Sequence, residues 1–211
     1  MLAFAVLVLA VSLPAARVDG AGPRATDTRT PFAAGTAPSS LRVKGALQVT
    51  VTEGAPQVTV TAEKNLLAMV TVEVVGGVLE VKTVGEPVSD KGVVVAVRLP
   101  ALSTLKLHGS VRFSGVLQGE AVVDVGGASE LKLTGAPKNL TMTAKGASSI
   151  HAGALKTNAV KLTVGGAANV DLGPCESLTI TGNGVGQIRY RGDPKITSKA
   201  SGTVKVSKAG T

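Results

Sequence analysis

The sequence predicts an all-β protein built as a right-handed parallel β-helix, or β-solenoid, with coils of about 20 residues and antiparallel strands at its N-terminal end. Three observations carry this. Short apolar runs alternate with polar residues along most of the chain, aliphatic residues are plentiful while aromatic ones amount to 2%, and a glycine-centred string recurs at nearly constant spacing. Alternation is the period of a half-buried strand, β-branched residues suit strands, and a fixed short period marks a stack of like units.

The chain opens on an apolar run of twelve residues, Leu2 to Leu13. That is too short to cross a bilayer as a helix and has the length of a signal-peptide core, although no Lys or Arg precedes Arg17. Small residues at Ala16 and Gly20 offer cleavage points, so residues 1–20 are expected to be a signal peptide. The protein is then exported, to the periplasm or the cell surface, with no transmembrane segment in its mature form. Residues 21–40 read AGPRATDTRTPFAAGTAPSS, rich in small and turn-forming residues with no apolar period, and are expected to be a flexible linker. Residues 41–211 are expected to form one domain, long enough to bury a core.

The first half of that domain alternates in Val49 and Val51, Val58 and Val60, Val70, Val72 and Val74, Leu79 and Val81, and Val93, Val95 and Val97. Gly76-Gly77 lies between two such runs, as a hairpin turn would, and Glu53-Gly54-Ala55-Pro56 marks another turn. Antiparallel pairing is therefore expected to precede or cap the solenoid.

The second half repeats itself. VGGASELKL (125–133), AKGASSIHA (144–152) and VGGAANVDL (164–172) align, with weaker copies in LHGSVRF (107–113) and GNGVGQIRY (182–190). The aligned glycines Gly109, Gly127, Gly146, Gly166 and Gly184 are spaced by 18, 19, 20 and 18 residues, too few for a helical hairpin or a propeller blade and right for one solenoid coil. Leu131 and Leu133, Leu140 and Met142, and Val160, Leu162 and Val164 are expected to point inward, with Lys and Thr between them pointing out. Glycine pairs such as Gly126-Gly127 and Gly165-Gly166 fall between the strands, where the coil turns a corner.

Taken together, several strings resemble the putative auto-transporter adhesin, head GIN domain family. They are Val49-Thr50-Val51-Thr52-Glu53-Gly54, Ala62-Glu63-Lys64-Asn65-Leu66-Leu67, the Gly-Ala-Ser corners, and the closing run from Gly184 to Pro194. The resemblance covers about residues 41–207. It implies an exported β-helix-like domain with an adhesin-like role and no catalytic residues. The chain departs from a true autotransporter, since nothing after Lys205 reads as a membrane β-barrel.

The chemistry-bearing residues are sparse. His108 and His151 are isolated on alternating segments and read as solvated strand residues, so no metal site is expected, and nothing calls for a cofactor. Glu120, Asp124, Glu130, Asp171 and Glu176 lie in the repeats, where stacked coils could align acids, but solvated surface is the expected role. A glycan-active β-helix enzyme is the competing class. It usually wants aromatic platforms, and only Phe32, Phe113 and Tyr190 follow the apolar run. Cys175 is the sole cysteine, so packing alone must hold the fold, and a buried inert thiol is expected.

The net charge of +8 concentrates near the C-terminus, where Arg189, Arg191, Lys195, Lys199, Lys205 and Lys208 face only Asp193. Three roles compete: charges that keep an exposed solenoid edge from pairing, attraction to anionic envelope glycolipid or polysaccharide, and nucleic-acid binding. The last is disfavoured because export removes the partner and no aromatics interleave for base stacking. The expected function is a non-catalytic binding or scaffolding module of the envelope. An envelope protein is the alternative partner, as for an accessory or sensor of an envelope stress system.

Overall fold

The computed structural model describes residues 17–32, 36–89 and 91–209. The apolar run Leu2 to Leu13 lies outside them. Strands β1 (Arg17–Asp19) and β2 (Arg24–Arg29) precede the long β3 (Ser40–Glu53). Then come β4 (Gln57–Glu63), a single 3-10 turn (Leu67–Met69), β5 (Val70–Val75), β6 (Val78–Thr83), β7 (Glu86–Val88) and β8 (Val94–Leu99). Three more long strands follow, β9 (Thr104–Leu117), β10 (Glu120–Gly135) and β11 (Asn139–Ala152). The chain continues as β12 (Ala159–Val164) with β13 (Ala167–Leu172), β14 (Ser177–Gly182) with β15 (Val185–Tyr190), and β16 (Lys195–Ala200) with β17 (Thr203–Lys208).

From β9 onward the arrangement is a parallel β-solenoid, as the repeat spacing predicts. Each coil runs along a first face, turns at a glycine and runs along a second face. The first halves of β9, β10 and β11 stack with β12, β14 and β16, and the second halves stack with β13, β15 and β17, all parallel and in register. Side chains that alternate in sequence therefore line up in columns across coils, about 4.8 Å apart. Leu105, Val123, Met142, Leu162 and Ile180 form one inward column and Phe113, Leu131, Ile150, Val170 and Ile188 another, all buried in a single aliphatic core. Burial of such columns is the dominant stabilising term for a domain without a disulfide.

The corner is a ladder of backbone. Gly45, Gly109, Gly127 and Gly146 are register partners, and Gly166, Gly184 and Gly202 continue the stack. At Gly127 φ is +90°, and a Cβ would lie 2.4 Å from the carbonyl oxygen of Gly109. Only glycine permits both that conformation and that approach.

The N-terminal end has a topology the repeat does not announce. β3 pairs with β9 on one side and, on the other, with β6 along its first half and β8 along its second, all parallel. β6 and β8 thus form a layer beneath β3 although they follow it in sequence. Antiparallel strands cover this layer: β5 on β6, β4 on β8, and β2 outermost on β4. Gly76 and Gly77 have φ of +57° and +78°, the two positive values of a type I′ hairpin turn between β5 and β6. The expected antiparallel strands are present and act as a cap.

The segment expected as a flexible linker, 21–40, is not irregular throughout. Arg24–Arg29 pairs with β4 along its length. The Arg24 guanidinium donates to the carbonyls of Gly92 (3.0 Å) and Thr61 (2.9 Å), and Arg29 donates to that of Leu67 (3.0 Å). The outer edge of β4 supplies backbone partners that local composition cannot reveal, and two arginines that read as linker charges bind carbonyls. Just before it, β1 pairs in parallel with β7, so the region assigned to the signal extends three residues into paired strand.

Candidate functional site

The six predicted cations do not form one cluster. β16 carries Lys195 and Lys199 on the outward side of the first face, in register with Ser177 and Thr181 of β14. Arg189 of β15 and Lys205 of β17 point outward from the second face. All four are exposed, and no ion pair to an acid occupies them among the described residues.

The remaining two are tied down. Arg191 donates from one guanidinium nitrogen to both oxygens of Asp171, at 3.1 and 3.0 Å, across neighbouring coils. Lys208 pairs with Asp193 at 2.6 Å, and that carboxylate holds the ammonium above the ordinary lysine range. The Asp171 partner lies 20 residues from Arg191, so the local sequence around 189–208 overstates the free charge.

Beside Arg189 and Arg191 the second face dips into a hollow of about 390 Å³, lined among others by Ser149, His151, Asn169, Asp171 and Gln187. Arg189 is steadied by Gln187 at 3.1 Å. Sequence reading missed the hollow because its residues come from four successive coils. The signal was available in the alignment, since Ser149, Asn169 and Gln187 occupy one outward column and His151, Asp171 and Arg189 the next.

The histidines and acids stand apart. His108 is exposed on the first face beside Gly126, and His151 is on the second, its Nε2 3.4 Å from the Ser149 hydroxyl. Of the acids, Glu120 accepts from Asn139, Glu130 pairs with Arg112 at 3.1 Å, Asp171 pairs with Arg191, Asp124 faces Lys106 and Thr143, and Glu176 sits in a connecting loop. None of these five is the register partner of another, and among the described residues no group of three or more His, Cys, Asp or Glu could hold a metal ion. Cys175 is half-buried in the same loop layer, and desolvation pushes its thiol up, away from the reactive thiolate. Among the described residues no helix is long and apolar enough to cross a membrane.

Comparison with known proteins gives one family and one fold. The model of the family described as "putative auto-transporter adhesin, head GIN domain" matches residues 37–194. Among solved structures, a putative adhesin from Bacteroides fragilis NCTC 9343 superposes with a TM-score of 0.67 at 18% identity, covering 90% of this chain and all of that one, 100%. A putative adhesin from Parabacteroides merdae ATCC 43184 gives 0.51 at 19% identity, with 92% and 99% covered. A protein from Parabacteroides distasonis ATCC 8503 described as a putative lipid binding protein gives 0.50 at 16%, with 92% and 100% covered. At such identities the likeness is one of fold. No curated protein matches the chain.

Proposed function

The chain belongs to the putative auto-transporter adhesin, head GIN domain family, and from that premise we propose that it is an exported, non-catalytic envelope module that binds anionic glycolipid or polysaccharide through its last two coils. The observation that carries this is the set of four exposed cations without an acidic partner among the described residues, Arg189, Lys195, Lys199 and Lys205, on the last two coils of the stack. Arg189 and Lys205 stand on adjacent coils about 4.8 Å apart and act jointly on a charged surface from the second face, while Lys195 and Lys199 add positive charge on the first. The apolar run Leu2 to Leu13 supports export. The neighbour described as a lipid binding protein is compatible with an amphiphilic target.

A second reading has its own observation. Among the described residues β16 and β17 are each paired on one side only, and Lys195 and Lys199 flank such an edge. Lysines there oppose pairing with another chain.

One experiment separates the two. The protein and a variant carrying Arg189→Glu, Lys195→Glu, Lys199→Glu and Lys205→Glu are incubated with isolated envelope fractions over a salt series. Binding that weakens with salt and disappears in the variant supports the surface reading. Absent binding, with a variant that aggregates, leaves only the edge reading.

A further inference from the structure

We infer that the second face is an axial groove for a linear acidic polysaccharide, lying across the coils from β3 to β15. This rests on the proposed anionic target and names its class. Four hollows adjoin one another along this face and share lining residues. The first and second share Gln48 and Arg112, the first and third share Ala128, and the third and fourth share Ser149 and Asn169. From β3 to β15 is five coil steps, about 24 Å.

The register makes the groove. The outward position next to the corner is small from β3 to β13, Ala46, Ser110, Ala128, Ala147 and Ala167, all five exposed, and on β15 it is the exposed Val185, which closes that end of the trough. The next outward column, Gln48, Arg112, Glu130, Ser149, Asn169 and Gln187, stands beside that trough as a row of hydrogen-bonding groups. Carboxamides and hydroxyls both donate and accept, which matches sugar hydroxyls.

Charge specifies acidity. Glu130 is neutralised by Arg112 and Asp171 by Arg191, which leaves Lys132 and Arg189 as the uncompensated cations of the groove. They occupy one column three coil steps apart, about 14 Å. An extended peptide is a poor occupant, because the interior strands of this face already have both backbone edges paired and offer no site for strand addition.

Affinities of the protein for oligogalacturonate, for uncharged dextran oligomers and for anionic phospholipid vesicles test this. In one variant the trough is filled by Ala147→Trp with Ala167→Trp. A gentler one removes polar groups by Asn169→Ala with Gln187→Ala, in case the first does not fold. A third carries Lys195→Glu and Lys199→Glu on the first face. Oligogalacturonate is expected to bind and dextran not to, with a loss of about 10-fold or more in the trough variants while vesicle binding stays unchanged. The first-face variant is expected to do the reverse. Unaltered oligogalacturonate binding in both trough variants overturns the groove, as does equal binding of dextran or no binding of oligogalacturonate by the unmodified protein. Oligogalacturonate binding by an unmodified protein that does not bind the vesicles overturns the cationic-coil reading and leaves the groove standing.

Discussion

Alanine at Gly127 tests the corner ladder directly. The new Cβ would meet the Gly109 carbonyl oxygen at 2.4 Å and its nitrogen at 2.9 Å, both backbone atoms of the coil below. Relief requires the two coils to part locally until the contact exceeds 3.0 Å, which stretches the hydrogen bonds flanking the corner. The backbone at φ +90° adds strain of about 1–2 kcal/mol for a residue with a side chain. Two weakened hydrogen bonds add about 1–3 kcal/mol, and reduced freedom of the unfolded chain returns less than about 1 kcal/mol. The net expectation is a loss of about 2–4 kcal/mol. Gly126 is the internal control. Its φ is not in the positive region, and a Cβ there would touch the movable His108 ring at 3.3 Å and the Leu107 carbonyl oxygen at an ordinary 3.8 Å, so Gly126→Ala is expected to stay within about 0.5 kcal/mol. Urea unfolding measures both, followed by far-UV circular dichroism since the chain has no Trp. Equal midpoints for the two variants, or a Gly127→Ala protein within about 1 kcal/mol of the parent, would refute the close-approach argument.

Two further outcomes follow from the core and the cap. Phe113 is the largest fully buried side chain among the described residues, and Phe113→Ala is expected to cost about 3–5 kcal/mol by the same unfolding measurement. Glu63, whose carboxylate accepts from the Ser89 hydroxyl at 2.8 Å, is held below the ordinary carboxylate range chiefly by that bond. A folded pKa below the unfolded one means that its contribution to stability is present above the unfolded value and is lost as pH falls through the folded one. Ser89→Ala should therefore raise the Glu63 midpoint in a carboxyl NMR titration, and an unchanged midpoint would contradict the assignment.

What the sequence reveals about this molecule follows from where information is local. The corners from Gly109 to Gly184 were legible because each coil repeats the same constraint within 20 residues. Gly45 belongs to the same ladder but stands 64 residues before Gly109, with β4 to β8 between, so periodicity does not reach it. β2 has the composition of a linker because Thr26, Asp27 and Thr28 have no apolar period, and what orders them is the edge of β4, formed more than thirty residues later. The basic residues from Arg189 to Lys208 were legible as a composition but not as a site. Which of them are free depends on Asp171 and on whether each alternating position points outward from the first face or the second.

The insertion between β3 and β9 links the cap to the candidate groove. Joining partners 64 residues apart rather than the 19 that separate β10 from β11 raises the loop-closure cost by only about 1 kcal/mol. For that cost the insertion supplies a layer on the far side of β3 and an antiparallel cover beyond it. β3 is then clasped by parallel partners on both sides, so Ala46 and Gln48 are held in the same outward columns as Ala147 and Ser149. Without β6 and β8 it would be an edge strand, its register fixed from one side and its backbone open to foreign strands. The capped end is thus a physical condition for the second face to run continuously from β3 to β15, and whatever lies along that face depends on residues that never touch it.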